Sequence, residues 1–181
     1  MQPEKTRNDR LMDFALVAFL IGFDVTARLL PHIPGVLPVA ASGLFAARVL
    51  RMPALAVIVP LAAMALSGFG LAADDWRVTL VVYAAIALPA LAGMFSRRWQ
   101  GALPIVATML SCSLTFFASS NLAVWAFSGI YPLTWQGLTE CYIAALPFIE
   151  RTVIGDLAWT GVLFGGAWLV QHGPVLGRRT L

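Results

Sequence analysis

The sequence predicts an all-α integral membrane protein built as a bundle of six transmembrane helices. Of its 181 residues, 60% are apolar and 12% are charged, whereas a soluble domain is nearer half apolar and a quarter charged. Long apolar segments alternate with short polar turns along the chain. Because a globule of this length cannot bury so much apolar surface, soluble enzymes, nucleic-acid binders and disordered chains are disfavoured. The length allows roughly six spans in one transmembrane domain, residues 1–181.

Charged residues and turn signals divide the chain into the predicted spans. The first, 11–30, is followed by a proline-rich loop from Pro31 to Pro38. The other spans are 36–50, 53–73, 78–95, 101–128 and 152–170. At ~1.5 Å per residue the fifth exceeds a ~30 Å apolar core, so it must tilt or break near 119–121. Residues 134–149 are less apolar and are predicted as an additional interfacial helix.

The distribution of basic residues predicts the orientation in the membrane. Six spans place both termini on one side, and most of the 12 Lys and Arg residues fall on that side. The opposite side receives Arg28, Arg77 and Arg151. Cytoplasmic loops carry the excess of Lys and Arg, so both termini are predicted to be cytoplasmic in a multi-pass protein of the bacterial inner membrane.

Charged residues inside the predicted spans are the first candidates for a binding site. Asp24 and Arg28 are spaced i,i+4, with the acid before the base, which suits a helical ion pair. Asp156 lies on a stripe with Thr152 and Thr160, which recur every fourth residue. A charge in hydrocarbon is expensive, so such residues pair or line a wet cavity. A structural pair at the rim and a cavity-lining role are both open for Asp24 and Arg28.

Aromatic and amide side chains gather at the same outer ends of the spans. Asn121 and Trp125 share one helical face, and a ligand pocket combines aromatic walls with a few convergent polar groups. We therefore predict that Arg28 holds an anionic group and that Asp156 and Asn121 supply hydrogen bonds. Trp125 and Tyr142 would stack on the ligand. The complete predicted ligand-binding set is Asp24, Arg28, Asn121, Trp125, Glu140, Tyr142 and Asp156.

Several of these features also have a purely structural explanation. Aromatic residues form belts at membrane interfaces by default. The GxxxG pair of Gly161 and Gly165, like the Ser and Thr residues of the fifth span, is typical of close helix packing. An accessory or structural subunit of a larger membrane complex would use the same features, and this is the alternative function.

Motifs for catalysis or cofactor binding are absent from the sequence. It contains no GxxxxGK[ST], GxSxG or HExxH motif. Cys112 and Cys141 have neither CxxC spacing nor a nearby histidine. The sequence therefore predicts no enzymatic activity, metal or cofactor. An intramembrane enzyme, the weakest alternative, would need Cys141, or Glu140 together with Asp156, at a cavity.

A family resemblance covers most of the chain. Its residues are Arg28-Leu29-Leu30-Pro31-His32 near the N-terminus and, between 119 and 165, Ser119, Asn121, Trp125, Tyr131-Pro132, Gly137-Leu138, Cys141-Tyr142, Ala144-Ala145-Leu146-Pro147-Phe148, Gly155-Asp156 and Leu163-Phe164-Gly165. With these residues the chain resembles a family of small, uncharacterised bacterial membrane proteins assigned to transport. That family is similar in turn, by size, span number and topology, to the substrate-binding S-components of energy-coupling-factor vitamin transporters.

The resemblance implies a function as well as a topology. S-components have six helices, cytoplasmic termini and an outward-facing site, and they work with a transmembrane coupling protein and ATPase subunits. We therefore expect an S-component-like protein that takes up a small molecule, such as a vitamin or metabolite, from the periplasmic side. The loop from Pro31 to Pro38 would act as a lid. The expected partners are the lipid bilayer, the substrate and that coupling complex, with no nucleic acid.

Overall fold

A computed structural model describes residues 3–31, 33–68 and 75–172, without the side chains of 3–6. Within these ranges the chain is helical and has no strand, which confirms the all-α prediction at that level. The elements are α1 (Pro3–Leu29), α2 (Val39–Val49), a 3-10 turn (Pro53–Val57), α3 (Ile58–Ser67), α4 (Trp76–Ser96), α5 (Ala102–Phe127) and α6 (Trp135–His172).

Three of these helices, α4, α5 and α6, are long and apolar enough to cross a membrane. Large apolar side chains are exposed on their outer surfaces, among them Phe95 and Leu103, which are 77% and 80% exposed. A soluble monomer rarely exposes so much contiguous apolar surface, so these helices indicate a membrane protein. Helix α1 has 27 residues, but Asp13, Asp24 and Arg28 make it less apolar than the other three.

The prediction of six full-length spans is not confirmed. The second predicted span, 36–50, is the 11-residue helix α2, which at ~1.5 Å per residue covers about half of a ~30 Å apolar core. The third, 53–73, is a 3-10 turn followed by the 10-residue helix α3, and 69–73 lie outside the described residues. Proline explains the short elements. Pro38 precedes the first residue of α2 and Pro53 begins the 3-10 turn, and proline lacks the N–H that a helix interior requires.

The prediction of a separate interfacial helix over 134–149 is wrong, because 135–172 form the single helix α6. Glu150 and Arg151 separate the two predicted segments in the sequence. Both residue types favour helix, so their charges keep this part polar without ending it. The predicted break at 119–121 is also absent, because α5 is continuous through these residues.

Two contacts between α5 and α6 show how the two helices lie relative to each other. Ser113 meets Asp156, and Asn121 meets Cys141. These contacts are separated by 8 residues on α5 and by 15 on α6, or about 12 and 22 Å of helix. The two helices therefore cannot run side by side along this stretch, which on α6 contains Pro147, a residue that removes a helical hydrogen bond.

Helix α2 lies at the centre and contacts α1, α3, α4 and α6. Its small residues permit this position. A Cβ added at Gly93 of α4 would lie 2.8 Å from the Cβ of Ala47, so the two helices touch almost backbone to backbone. Leu20 of α1 and Phe45 of α2 belong to the same buried core, and Phe45 meets Phe164 of α6 edge to face at 5.2 Å.

At one end of the bundle, arginines bind the C-termini of helices. Arg48, in the last turn of α2, donates to the carbonyl oxygens of Ser96 and Trp99 at 2.8 and 2.6 Å, where α4 ends. Arg97, which follows α4, donates to the carbonyl oxygen of Leu50 at 2.8 Å, where α2 ends. These contacts bind carbonyls at or just after the C-termini of the two helices and complement the negative end of the helix dipole.

Two aspartates complete this network. Both oxygens of Asp13 accept main-chain N–H groups, from Arg51 at 3.3 Å and from Met52 at 2.9 Å, just before the 3-10 turn. Asp9 forms an ion pair with the side chain of Arg51. We call this network the Arg48 end, comprising Asp9, Asp13, Arg48, Arg51 and Arg97. The opposite end, where α1 ends and α2 begins, is called the Arg28 end.

Candidate ligand-binding site

The loop between α1 and α2 packs against the middle of α6. Gly35 has φ +87°, and the N–H of Val36 donates to the carbonyl of Ile33 at 3.0 Å, a tight turn that needs glycine at this position. A Cβ on Gly155 would lie 2.8 Å from Val36 Cα and 3.0 Å from the Gly35 oxygen, so the two backbones are in contact. Non-helical backbone at such a depth in a membrane protein is tolerated where it is buried in protein or lines a water-filled cavity.

A cavity of about 160 Å³ lies beside this loop. Every helix of the bundle contributes to its lining, together with Gly35 and Leu37 of the loop. Its walls are mainly apolar and include Met64 of α3, Ile86 of α4 and Phe116 of α5. The polar residues that line it are Arg28, Cys112, Ser113, Thr152 and Asp156. An apolar hollow with a few convergent polar groups is the usual form of a small-molecule site.

Arg28 and Asp156 bring opposite charges to this cavity without pairing with each other. Arg28 donates from Nε to the hydroxyl of Ser67 at 2.6 Å. Asp156 accepts the hydroxyl of Ser113 on Oδ2 at 2.6 Å. Within the described ranges the one ion pair is at the Arg48 end. Of the seven residues predicted to form one site, Arg28 and Asp156 line this cavity.

Asp24 lies apart from the cavity lining. Its side chain is completely buried, and its Oδ1 accepts the hydroxyl of Ser42 at 2.8 Å. The predicted ion pair with Arg28 is not formed, because Arg28 turns to Ser67 instead. The second oxygen of Asp24 has no hydrogen-bond partner in the described part of the chain. Asp24 therefore links α1 to α2 outside the cavity lining.

The other four predicted residues form a second group, between the C-terminal half of α5 and the N-terminal half of α6. Trp125 donates to the carbonyl of Pro132 at 3.0 Å, and Tyr142 donates to that of Ala118 at 2.6 Å. Asn121 donates to a carbonyl of its own helix, and Glu140 accepts from Gln136. None of the four lines the cavity described above. Their polar groups hold the α5–α6 pair together or bind locally.

A comparison with protein families adds one result. The profile described as "Family of unknown function (DUF6580)" matches residues 8–176. The chain belongs to the DUF6580 family. Neither the curated proteins nor the solved structures contain a match to it. The matched range of this DUF6580 protein includes the whole cavity, from Arg28 to Asp156.

Ser113 is the polar cavity residue of this DUF6580 protein that sequence reasoning missed. It is buried and binds Asp156. The sequence assigns the Ser and Thr residues of the fifth span to helix packing, and three of them, Thr108, Ser111 and Thr115, bind carbonyls four residues back. Only the register between α5 and α6 singles out Ser113, and periodicity within one helix does not contain that register.

The alternative catalytic groups of the DUF6580 chain do not converge. Glu140 and Asp156 are 16 residues apart on α6, or about 24 Å of helix. Both cysteines are free and buried. Cys112 lines the cavity, whereas the thiol of Cys141 lies 3.5 Å from the Asn121 carbonyl. In the described ranges no cluster of three His, Cys, Asp or Glu residues could hold a metal ion.

Proposed function

We propose that this protein binds a small solute in the cavity at the Arg28 end and moves it across the membrane. The observation that carries the proposal is that Arg28 and Asp156 line one apolar cavity without forming an ion pair. Ionisable groups among membrane helices are costly, and they commonly mark substrate or ion pathways. Two of them that face the same hollow supply polar contacts for a solute that leaves water.

The direction of uptake is part of the same proposal. The excess of basic residues on the side of the termini supports an Arg28 end that faces the periplasm. The loop with Gly35 borders the cavity and packs on Gly155, which supports its role as a lid. The resemblance to S-components supports a division of labour, in which this chain binds the solute and a separate coupling complex with ATPase subunits supplies the energy.

The test begins with the full chain purified in mild detergent. Native mass spectrometry would identify the small molecules and proteins that remain bound. We expect a specific metabolite on the wild type and its loss in Arg28→Gln and Asp156→Asn. Glu150→Gln, an exposed carboxylate change on α6, is the matched control and should retain the metabolite. A wild type without bound solute, and without uptake activity in cells, would contradict the proposal.

A second candidate function, an accessory subunit, is favoured by one observation on α6. A Cβ added at Gly161, Gly165 or Gly166 would meet nothing within 4 Å. The GxxxG pair therefore packs on no other helix in the described part of the chain and leaves room for a partner helix. Gly161→Ile would disrupt a complex of this kind and leave solute binding unchanged. A stoichiometric protein that co-purifies with the wild type, but not with this variant, supports the second candidate.

A further inference from the structure

We propose, on the basis of the solute-binding function above, that the ligand is a small zwitterion with one carboxylate and one ammonium group, as in a short amino acid. Three features of the cavity lead to this class. The first is the guanidinium of Arg28, which forms no ion pair within the described ranges. The second is the carboxylate of Asp156, of which one oxygen accepts a hydrogen bond. The third is the small, mainly apolar cavity that both residues line.

Arg28 can receive the carboxylate. Its Nε is fixed by Ser67, and its two Nη groups have no hydrogen-bond partner among the described residues. A guanidinium presents its donors in a planar fork that matches a carboxylate. The bond to Ser67 orients this fork, so less side-chain freedom is lost when the ligand binds.

Asp156 can receive the ammonium group. Ser113 occupies its Oδ2, whereas Oδ1 has no partner in the described part of the chain and is not among the buried polar atoms that are fully sealed from solvent. Thr152 lies one helical turn away on α6 and also lines the cavity. An ammonium group has three donors and no acceptor, and a carboxylate oxygen beside a hydroxyl supplies acceptors of the required kind.

A ligand with a single charge fits this pair less well. A carboxylate alone leaves Asp156 dehydrated without a partner, and an amine alone does the same to Arg28. A charge that stays unpaired in a desolvated site carries a large desolvation cost, and this cost can exceed the gain from a single ion pair formed at the other group. A zwitterion satisfies both groups and remains neutral overall, which suits a solute that enters a membrane protein.

The volume limits the size of the ligand. A cavity of about 150 Å³ holds benzene, so about 160 Å³ accommodates roughly six to eight non-hydrogen atoms. Alanine and serine are in this range. The apolar walls formed by Met109 and Phe116 suit a short aliphatic side chain.

The test compares three compounds of similar size: alanine, propionate and ethylamine. Calorimetric titration of the full chain in detergent gives a dissociation constant for each. We expect the wild type to prefer alanine by about tenfold or more over both, the scale of one hydrogen bond to a charged group. Arg28→Gln should lose the preference over ethylamine only, and Asp156→Asn the preference over propionate only. Arg77→Gln and Glu150→Gln, both exposed, are controls that should keep both preferences.

The outcomes separate this inference from the proposed function. A wild type that binds propionate, ethylamine or a larger co-purified metabolite as tightly as alanine overturns the zwitterion and leaves solute binding intact. A wild type that binds no solute, whether from the panel or from the cell, overturns both. If either variant fails to fold, Arg28→Lys or Asp156→Glu replaces it. The comparison of the three compounds on the wild type alone still decides between the zwitterion inference and solute binding in general.

Discussion

The two ends of the helix bundle use charged residues in opposite ways. At the Arg48 end, Arg48 and Arg97 each bind carbonyls at the end of the other's helix, and both oxygens of Asp13 accept N–H groups. At the Arg28 end, Arg28 and Asp156 each bind one hydroxyl and line a common cavity. The charged groups at the Arg48 end are used in contacts within the protein. Those at the Arg28 end keep hydrogen-bonding capacity for a ligand.

This contrast shows that an ionisable residue in a membrane helix has to be judged by its remaining hydrogen-bond capacity. Asp13 is 6% exposed and Asp156 is 5% exposed, so burial does not distinguish them. The main-chain N–H groups that Asp13 binds are those left free before a helical turn. Among the residues that the structure describes, the partner of Asp156 is the Ser113 hydroxyl and not a main-chain N–H. The predictions below test whether stability depends on one end and ligand binding on the other.

The largest effect on stability is expected from Arg48→Met. Methionine keeps the apolar stem but removes the guanidinium bonds to the carbonyls of Ser96 and Trp99. Hydrogen bonds to charged groups contribute about 1.5–3 kcal/mol each, so we expect a loss of about 3 kcal/mol in the free energy of unfolding. The midpoint of thermal unfolding in detergent measures the change.

The control for Arg48→Met is Arg98→Met, because Arg98 is exposed and stacks on Trp99 at 4.9 Å. It should cost less than about 1 kcal/mol. The ligand preferences of Arg48→Met should equal those of the wild type. If that variant changed ligand selectivity while its stability remained normal, the division between the two ends would be refuted.

A smaller loss is expected from Gly155→Ala at the Arg28 end. The new methyl group would lie 2.8 Å from Val36 Cα and 3.0 Å from the Gly35 oxygen, so the loop backbone has to move. Overpacking of this kind costs about 1–3 kcal/mol. Because the loop lines the cavity, solute affinity should fall together with the unfolding midpoint.

Gly161→Ala provides the matched comparison for Gly155→Ala, since it lies on the same helix and its methyl group would meet nothing within 4 Å. Alanine favours helix over glycine by up to about 1 kcal/mol, so this variant should be as stable as the wild type or slightly more stable. Equal behaviour of the two variants would mean that the loop does not pack on α6.

Local patterns in the sequence predicted the helical class and the inward face of α6. The stripe of Thr152, Asp156 and Thr160 faces the bundle, because a spacing of four residues fixes one face of a helix. Of the seven residues predicted to share one site, Arg28 and Asp156 line one cavity. Both properties follow from the period of a helix and from the cost of a charge in hydrocarbon.

Helix length and the partners of charged groups could not be predicted from local sequence patterns. Glu150 and Arg151 separated two predicted segments, although charged residues do not end a helix. Asp24 and Arg28 have the spacing of an ion pair, yet each finds a hydroxyl on another element. Such partners depend on how helices lie against each other, and a single sequence contains no measure of that register. The same reason hides Ser113.

The smallest effects concern two buried hydroxyls near Asp156, Ser113 on α5 and Thr160 on α6. Ser113 donates to Asp156 at 2.6 Å, and Ser113→Ala should cost about 1–2 kcal/mol because it leaves a carboxylate oxygen without a donor. The hydroxyl oxygen of Thr160 has no partner in the described part of the chain. Thr160→Val should therefore be neutral or stabilise by about 0.5 kcal/mol, since valine has the same shape without the unsatisfied group.

Unfolding midpoints of the two variants, measured side by side, test this difference. A Thr160→Val variant that destabilised as much as Ser113→Ala would show that Thr160 has a partner, such as a bound water or ion, and that the polar site extends further along α6 towards the Arg48 end.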